Sequence, residues 1–269
     1  MDKTRLTSVK EVTLKIVTCI KQVPDTEAKI SLENGKVQWG DSPLVINPFD
    51  EYAVEAALQQ KDKHGATVVA ICIGPDSARE ALKHALAMGA DEAILISDAA
   101  LENLDAQGAA QVLAAAIRKI GDADLVIFGR QSIDSGTGLT PAQTARRLGW
   151  PLLSLAGSIE LNNGRVRVER VIEEGRQIVS AALPAVLSVV QSIGEPRYPS
   201  FMGIRRASRA TIPTWSLADL GISAPTPLVE QRAMFAPPSR EQPCEFIQGE
   251  TVTEIAEKLV EKILAEKVL

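Results

Sequence analysis

The chain has 269 residues, of which 45% are hydrophobic, 23% charged and only 4% aromatic, with a formal charge of −5. This is the composition of an ordinary globular protein with one large domain, alone or with appendages. The mild acidity and the scarcity of aromatic side chains argue against a nucleic-acid partner.

Residues 1–13 read as an N-terminal extension without a hydrophobic core, neither a secretory signal nor a transit peptide. Leu14 to Ile20 (LKIVTCI) is apolar nearly throughout, as a parallel strand buried on both faces should be. KQVPDTEAKI follows as a turn around Pro24 and Asp25, and Glu33-Asn34-Gly35 marks a short hairpin. Asn47 and Pro48 form a further turn, and Asp50 is positioned to cap a helix whose Tyr52, Ala53, Ala56, Ala57 and Gln60 share a face. Thr67 to Ile73 is a second buried strand, Ser77 to Met88 an alanine-rich helix ended by Gly89, Glu92 to Ser97 a third strand and Asp105 to Ile120 a further helix.

Asp124 to Gly149 (DLVIFGRQSIDSGTGLTPAQTARRLG) is the stretch around which the rest is organised. A short apolar strand, Asp124 to Phe128, breaks into a loop with Gly129, Gly136 and Gly138 among Ser132, Ser135, Thr137 and Thr140. Pro141 sits at a first helical position with Thr140 as N-cap, and Gly149 stops the helix. A strand feeding a glycine-rich loop that opens a helix suits a phosphate: the backbone can approach, N–H groups donate, and the helix N-terminus favours negative charge. The loop is neither a GxGxxG fingerprint nor a P-loop. Asp134 would repel a phosphate, so it is expected to tie down the loop or accept from a sugar hydroxyl.

The texture changes after Pro151. Ser158 to Leu161, Arg165 to Val171 and Gln177 to Leu183 alternate polar and apolar residues between the hairpin signals Asn162-Asn163-Gly164 and Glu173-Glu174-Gly175. Pro184 to Gln191 returns to a buried strand. GEPRYPSFMGIRRASRATI reads as irregular, with exposed Tyr198 and Phe201. Pro213 to Pro243 reads as an extended arm, and Thr251 to Leu269 as a helix with Ile255, Leu259, Ile263 and Leu264 in one stripe for a partner to cover. The fold class is α/β, a parallel sheet with helices on both faces, Rossmann-like and adenine-nucleotide-binding, with an antiparallel hairpin excursion and a C-terminal arm. Ligands of such sheets sit beyond the carboxyl ends of the strands, here Cys19 to Val23, Ile73 to Pro75 and Gly129 onward.

The residues contain no catalytic set. Cys19 and Cys72 fall inside apolar strands and read as buried inert thiols, Cys244 stands apart, and His64 and His84 lie on helix surfaces without a metal-ligand pattern. Glu173-Glu174 reads as a solvated hairpin tip. On the residues themselves this is a nucleotide-binding domain with a partner-docking arm. An adenine-nucleotide-binding regulatory or stress-type domain without a redox role is the alternative. A hydrolase or ligase would need an acid or base at the strand ends.

Val168 to Ser188 (VERVIEEGRQIVSAALPAVLS) resembles the signature of the electron transfer flavoprotein β subunit. KQVPDT, NPFDEYAVE, ALAMGAD, GRQSID and EPRY match that family in order, across roughly residues 14 to 222. The resemblance implies an electron carrier, not itself a catalyst, that pairs with an α subunit holding FAD. It would take electrons from an acyl-CoA-type or other dehydrogenase and pass them to a downstream oxidoreductase or quinone reductase. It also implies a nucleotide site in this subunit, for AMP or for a second FAD in the electron-bifurcating branch; KQVPDT and NPFDEY look more like the latter. Cys19 would line that site, Asn47, Pro48, Phe49 and Asp50 would hold base and sugar, and Ile73 would pack nearby. Gly129, Gln131, Ser132, Asp134, Ser135, Gly136, Thr137, Gly138, Leu139, Thr140 and Thr144 would wrap the phosphates. Gly136 and Leu139 depart from the acid and amide residues usual in the family. The segment 194–206, with Glu195, Pro196, Arg197, Tyr198 and Phe201, resembles the partner-recognition loop, and 223–269 an arm that docks on the α subunit. A reducing cytoplasm is the expected compartment, without membrane insertion.

Overall fold

The computed structural model describes residues 14–236, 238 and 244–266. The expected N-terminal extension, residues 1–13, lies outside the described residues, as do 237, 239–243 and 267–269. In chain order the strands are β1 (Lys15–Ile20), β2 (Gln22–Pro24), β3 (Ser31–Glu33), β4 (Lys36–Gln38) and β5 (Leu44–Ile46), followed by helix α1 (Pro48–His64). Then come β6 (Thr67–Ile73), α2 (Arg79–Met88), β7 (Glu92–Ile96), α3 (Ala106–Ile120), β8 (Leu125–Gly129) and α4 (Thr140–Leu148). The remainder is β9 (Leu152–Asn162), β10 (Arg165–Ile172), β11 (Gly175–Ala182), β12 (Ala185–Val189), α5 (Phe201–Ala207), β13 (Thr214–Trp215) and α6 (Val252–Ala265).

A nine-stranded sheet runs in the order β11-β10-β9-β12-β8-β1-β6-β7-β13. From β9 to β13 every neighbouring pair is parallel, and only β10 pairs antiparallel with both its neighbours. The hairpin excursion therefore extends the main sheet instead of forming a separate one. The central strands are apolar on both faces because both are covered. From β1, Ile16 and Ile20 pack with Val54 and Leu58 of α1 and Leu82 of α2. Val17 and Cys19 pack on the opposite face with Val112 and Ile117 of α3 and Ala145 of α4. Helix ends follow local chemistry: the Asp105 carboxylate accepts from the Gly108 amide at 2.7 Å to start α3, and left-handed Gly65 and Gly149 stop α1 and α4.

Five local expectations are corrected. The segment after β1 is not only a turn, since Gln22–Pro24 pairs antiparallel with Leu44–Ile46. Asp50 does not cap α1, which begins at Pro48 after Asn47, because Pro48 already fixes a helical φ. Thr140 likewise lies inside α4, with Leu139 at the cap position and no side-chain cap. The segment after β12 is not irregular throughout: the Ser200 hydroxyl accepts from the Gly203 amide at 2.9 Å and opens α5. Just beyond it Thr214–Trp215, inside the expected arm, adds an edge strand beside β7.

The chain separates into two compact units that divide between Arg232 and Ala233. In the second, the Thr251 hydroxyl caps α6 by accepting from the Glu254 amide at 3.2 Å, and no residue of α6 is buried. Among the described residues no helix is long and apolar enough to cross a membrane.

Candidate nucleotide-binding site

The chain runs from β1 outward through β6 and β7, then returns to place β8 on the other side of β1. The reversal leaves a crevice past the carboxyl ends of β1 and β8, where open α/β sheets bind ligands. The sequence does not dictate that order locally, but it brings together the loops singled out above. Cys19 faces Phe128 across the β1–β8 pair, and Ile73 ends β6 beside β1.

Asn47 is the hub. Fully buried, it donates from Nδ2 to the Gln131 carbonyl at 2.8 Å and accepts at Oδ1 from the Ile133 amide at 3.2 Å. Its own amide donates to the Lys21 carbonyl at 2.8 Å. One residue thus fastens the loop after β8 to the start of α1 and, through its backbone, to the residue that follows β1. Because that side chain is committed to the loop, it makes no cap bond to α1.

Asp50 closes the crevice floor, accepting from the Lys21 amide at 2.8 Å. Burial pushes its carboxyl up to about 7, against the Asn47 side chain, the Lys21 and Gly129 amides and the Lys21 charge, which favour the carboxylate. Gly129 is required at this contact: a Cβ there would lie 2.5 Å from both Asp50 Oδ1 and the Phe49 carbonyl oxygen. Burial also raises the Cys19 thiol well above the usual range and Cys72 to about 12, so both are inert packing groups.

The loop itself is open. Gly136 and Gly138 have φ of 64° and 60°, a conformation that favours glycine, and Ser132, Asp134, Ser135, Thr137 and Leu139 stand at the surface or near it. Ser132 and Ser135 share a hydroxyl contact of 2.7 Å, and the Gly136 amide donates to the Ser132 carbonyl at 2.9 Å. Asp134 pairs with the Lys21 ammonium, outside the loop, at 2.6 Å. Burial would raise that carboxyl, but the hydrogen bonds from Lys21 and Ser132 outweigh it and hold it below the usual range. Lys21, whose amide, carbonyl and ammonium each hold a different part of the site, was not among the residues expected to form it. Its signal was a basic residue immediately past the first buried strand.

These residues fit a phosphate-bearing ligand. The first-turn amides of α4 have no side-chain cap to compete with an anion, and the buried Thr144 hydroxyl has no partner among the described residues. Beside them lies a cavity of about 290 Å³ lined by Arg130, Gln131, Gly138, Pro141, Ser154 and Ser188. Leu155 on its wall is left-handed (φ 57°), with its amide held by the Ser188 hydroxyl at 3.1 Å. Of the residues expected to form the site, Gln131 and Gly138 line this cavity, and Asn47, Asp50, Ser132 and Thr144 do not.

The residues expected to meet a partner lie elsewhere on the same body. Tyr198 and Phe201 are 91% and 82% exposed, Glu195 is exposed and Pro196 half-buried. Arg197 instead turns inward to Glu55 of α1.

Residues 40–220 match the electron transfer flavoprotein domain. The chain is 37% identical over 266 residues to the caffeyl-CoA reductase–Etf complex subunit CarD of Acetobacterium woodii, covering 95% of this chain and 100% of that protein. It is 33% identical over 273 residues to the electron transfer flavoprotein subunit beta of Megasphaera elsdenii, covering 95% and 100%. With protein FixA of Azorhizobium caulinodans it shares 34% over 242 residues, covering 84% and 86%.

Proposed function

The chain belongs to the electron transfer flavoprotein family as a β-type, electron-transfer subunit, and from that premise we propose that it holds an adenine nucleotide at the β1/β8 crevice and works as a heterodimer with an α-type subunit. The observation that carries the reading is the Asn47 hub, which sets the loop after β8 against the start of α1 beside the uncapped α4. Residues Asn47 to Asp50 would hold base and sugar. The backbone and hydroxyls from Gln131 to Thr140, with Thr144, would hold the phosphates. Asp134, already paired with Lys21, would face a sugar hydroxyl and not a phosphate.

The nucleotide is a second FAD, as the KQVPDT and NPFDEY motifs suggest, and the subunit then belongs to the bifurcating branch. The relative named for a caffeyl-CoA reductase–Etf complex is compatible with that branch. Bound flavin would accept and release the electrons; the protein's part is to hold it, orient it and set the charge around it. The exposed pair Tyr198 and Phe201 would seat a dehydrogenase that supplies the electrons. Arm 223–269 would dock on the α subunit.

Co-expression with the α-type partner tests this. Two flavins per heterodimer, counted by absorbance after denaturation, are expected. One flavin with one AMP would reject the second flavin and keep the site, whereas a colourless chain that forms no heterodimer would favour the regulatory or stress-type alternative.

A further inference from the structure

The exposed segment after β12 has no regular structure over residues 194–200, yet it is fixed at several points. Gln59 of α1 donates to the Ile193 carbonyl at 3.2 Å as the segment leaves the sheet. Arg197 then donates to Glu55 from its backbone amide at 3.1 Å, from Nε at 2.8 Å and from Nη2 at 3.0 Å, and Nη2 also reaches Asp62 at 2.9 Å. Glu55 is 5% exposed, and among the described residues Arg197 is the cation paired with its carboxylate. At the far end Arg206 of α5 donates to the Leu86 and Ala90 carbonyls at 3.1 and 3.3 Å, tying α5 to the end of α2. Between these ties Tyr198, Phe201, Met202 and Ile204 all face outward, each more than half exposed. An exposed apolar cluster gains nothing in the free chain. Holding it in one geometry removes the ordering cost that a partner would otherwise meet on binding.

We propose that Arg197 and Glu55 form a positioning clamp that preorganises the apolar cluster Tyr198, Phe201, Met202 and Ile204 for an electron-donating dehydrogenase. This rests on the reading of that segment as a docking surface. Arg197 acts through its neighbours and does not itself meet the partner. The clamp sits on the helix whose first turn forms the nucleotide site. Eight residues of helix from Asn47 to Glu55 span roughly 12 Å, so the docked donor and the nucleotide are referred to one rigid element.

The test uses the heterodimer as electron acceptor for an acyl-CoA dehydrogenase that reduces the wild-type form. KM for the heterodimer and kcat are read separately, with amide exchange over residues 195–207 and bound nucleotide as further readouts. Phe201→Ala is expected to raise KM about tenfold without changing exchange. Arg197→Ala should raise KM about tenfold and speed exchange, with Arg197→Lys restoring part of both, because lysine keeps the charge and loses the fork. Glu55→Gln, at a position too buried to touch a partner, should raise KM about fivefold and speed exchange. In all four, kcat and nucleotide content stay within about twofold of wild type. If Phe201→Ala raises KM while Arg197→Ala and Glu55→Gln change neither KM nor exchange, the clamp is overturned and the docking surface stands. A rise confined to the Arg197 variants means that Arg197 contacts the partner, which also overturns the clamp. If Phe201→Ala has no effect, the docking reading fails and the inference with it. Should Arg197→Ala fail to fold, Glu55→Gln decides.

Discussion

Helix α1 organises two regions by opposite means. At its first turn Asn47 and Asp50 bury polar groups, and each is satisfied by backbone from β1 or from the loop after β8. Two turns on, Glu55 buries a carboxylate, and what it secures is a segment that exposes aromatic and aliphatic side chains to water. The first region draws its order from desolvated hydrogen bonds, so it is sensitive to protonation and to any atom added inside. The second draws its order chiefly from a charged fork, with the Gln59 and Arg206 bonds at its two ends, and its apolar side chains contribute little to the stability of the free chain. The two regions are thus separable on one helix.

The largest separation should appear in the pH dependence. Burial lifts Asp50 from 3.8 to about 7 in the folded state, so between those values the native protein keeps a proton that the unfolded chain has released. Stability should therefore fall as pH rises through that window and level off above it, by an amount on the order of 4 kcal/mol relative to Asp50→Asn. Denaturant melts of both forms across the window measure it; parallel curves would mean that Asp50 titrates normally. Gly129→Ala comes next: the added Cβ meets the Phe49 backbone, which cannot swing aside, at an expected cost of about 3 kcal/mol together with loss of nucleotide. Asn47→Ala leaves the Gln131 carbonyl and the Ile133 amide without their partner, for about 2 kcal/mol and a lower nucleotide content. Phe201→Ala should change stability by less than about 0.5 kcal/mol and leave the nucleotide in place, since that side chain is already in water. A melt displaced as far by Phe201→Ala as by Asn47→Ala would erase the distinction between the regions.

Much of this was legible in the residues because it is local. The apolar runs of β1, β6 and β8 announce strands covered on both faces, and Asn163-Gly164 and Glu173-Glu174 fall at the two hairpin turns of the excursion. Pro141 and Gly149 bound α4 within a residue. The errors share a cause: a side chain or backbone group was engaged by something distant in sequence. Asp50 has the chemistry of a cap but serves the Lys21 amide instead. Helix α5 hides behind Pro196 and Pro199 and contains Gly203, a poor helix former. That glycine is required because a side chain there would collide with the Ala87 carbonyl of α2. Strand β13 has two residues and exists because β7 offers an edge. Glu55 carries no local mark of its role, since that role depends on a partner 142 residues away.

The central claim is that the crevice between β1 and β8 holds an adenine nucleotide through the Asn47 hub. The direct measurement is chromatography of the nucleotides released on denaturing the heterodimer, wild type beside Asn47→Ala. One adenine nucleotide assignable to this subunit in the wild type, depleted in the variant while the flavin of the α-type partner stays, is the predicted result. Wild-type heterodimer that releases only the partner's flavin, or a variant that keeps the full complement, would contradict it.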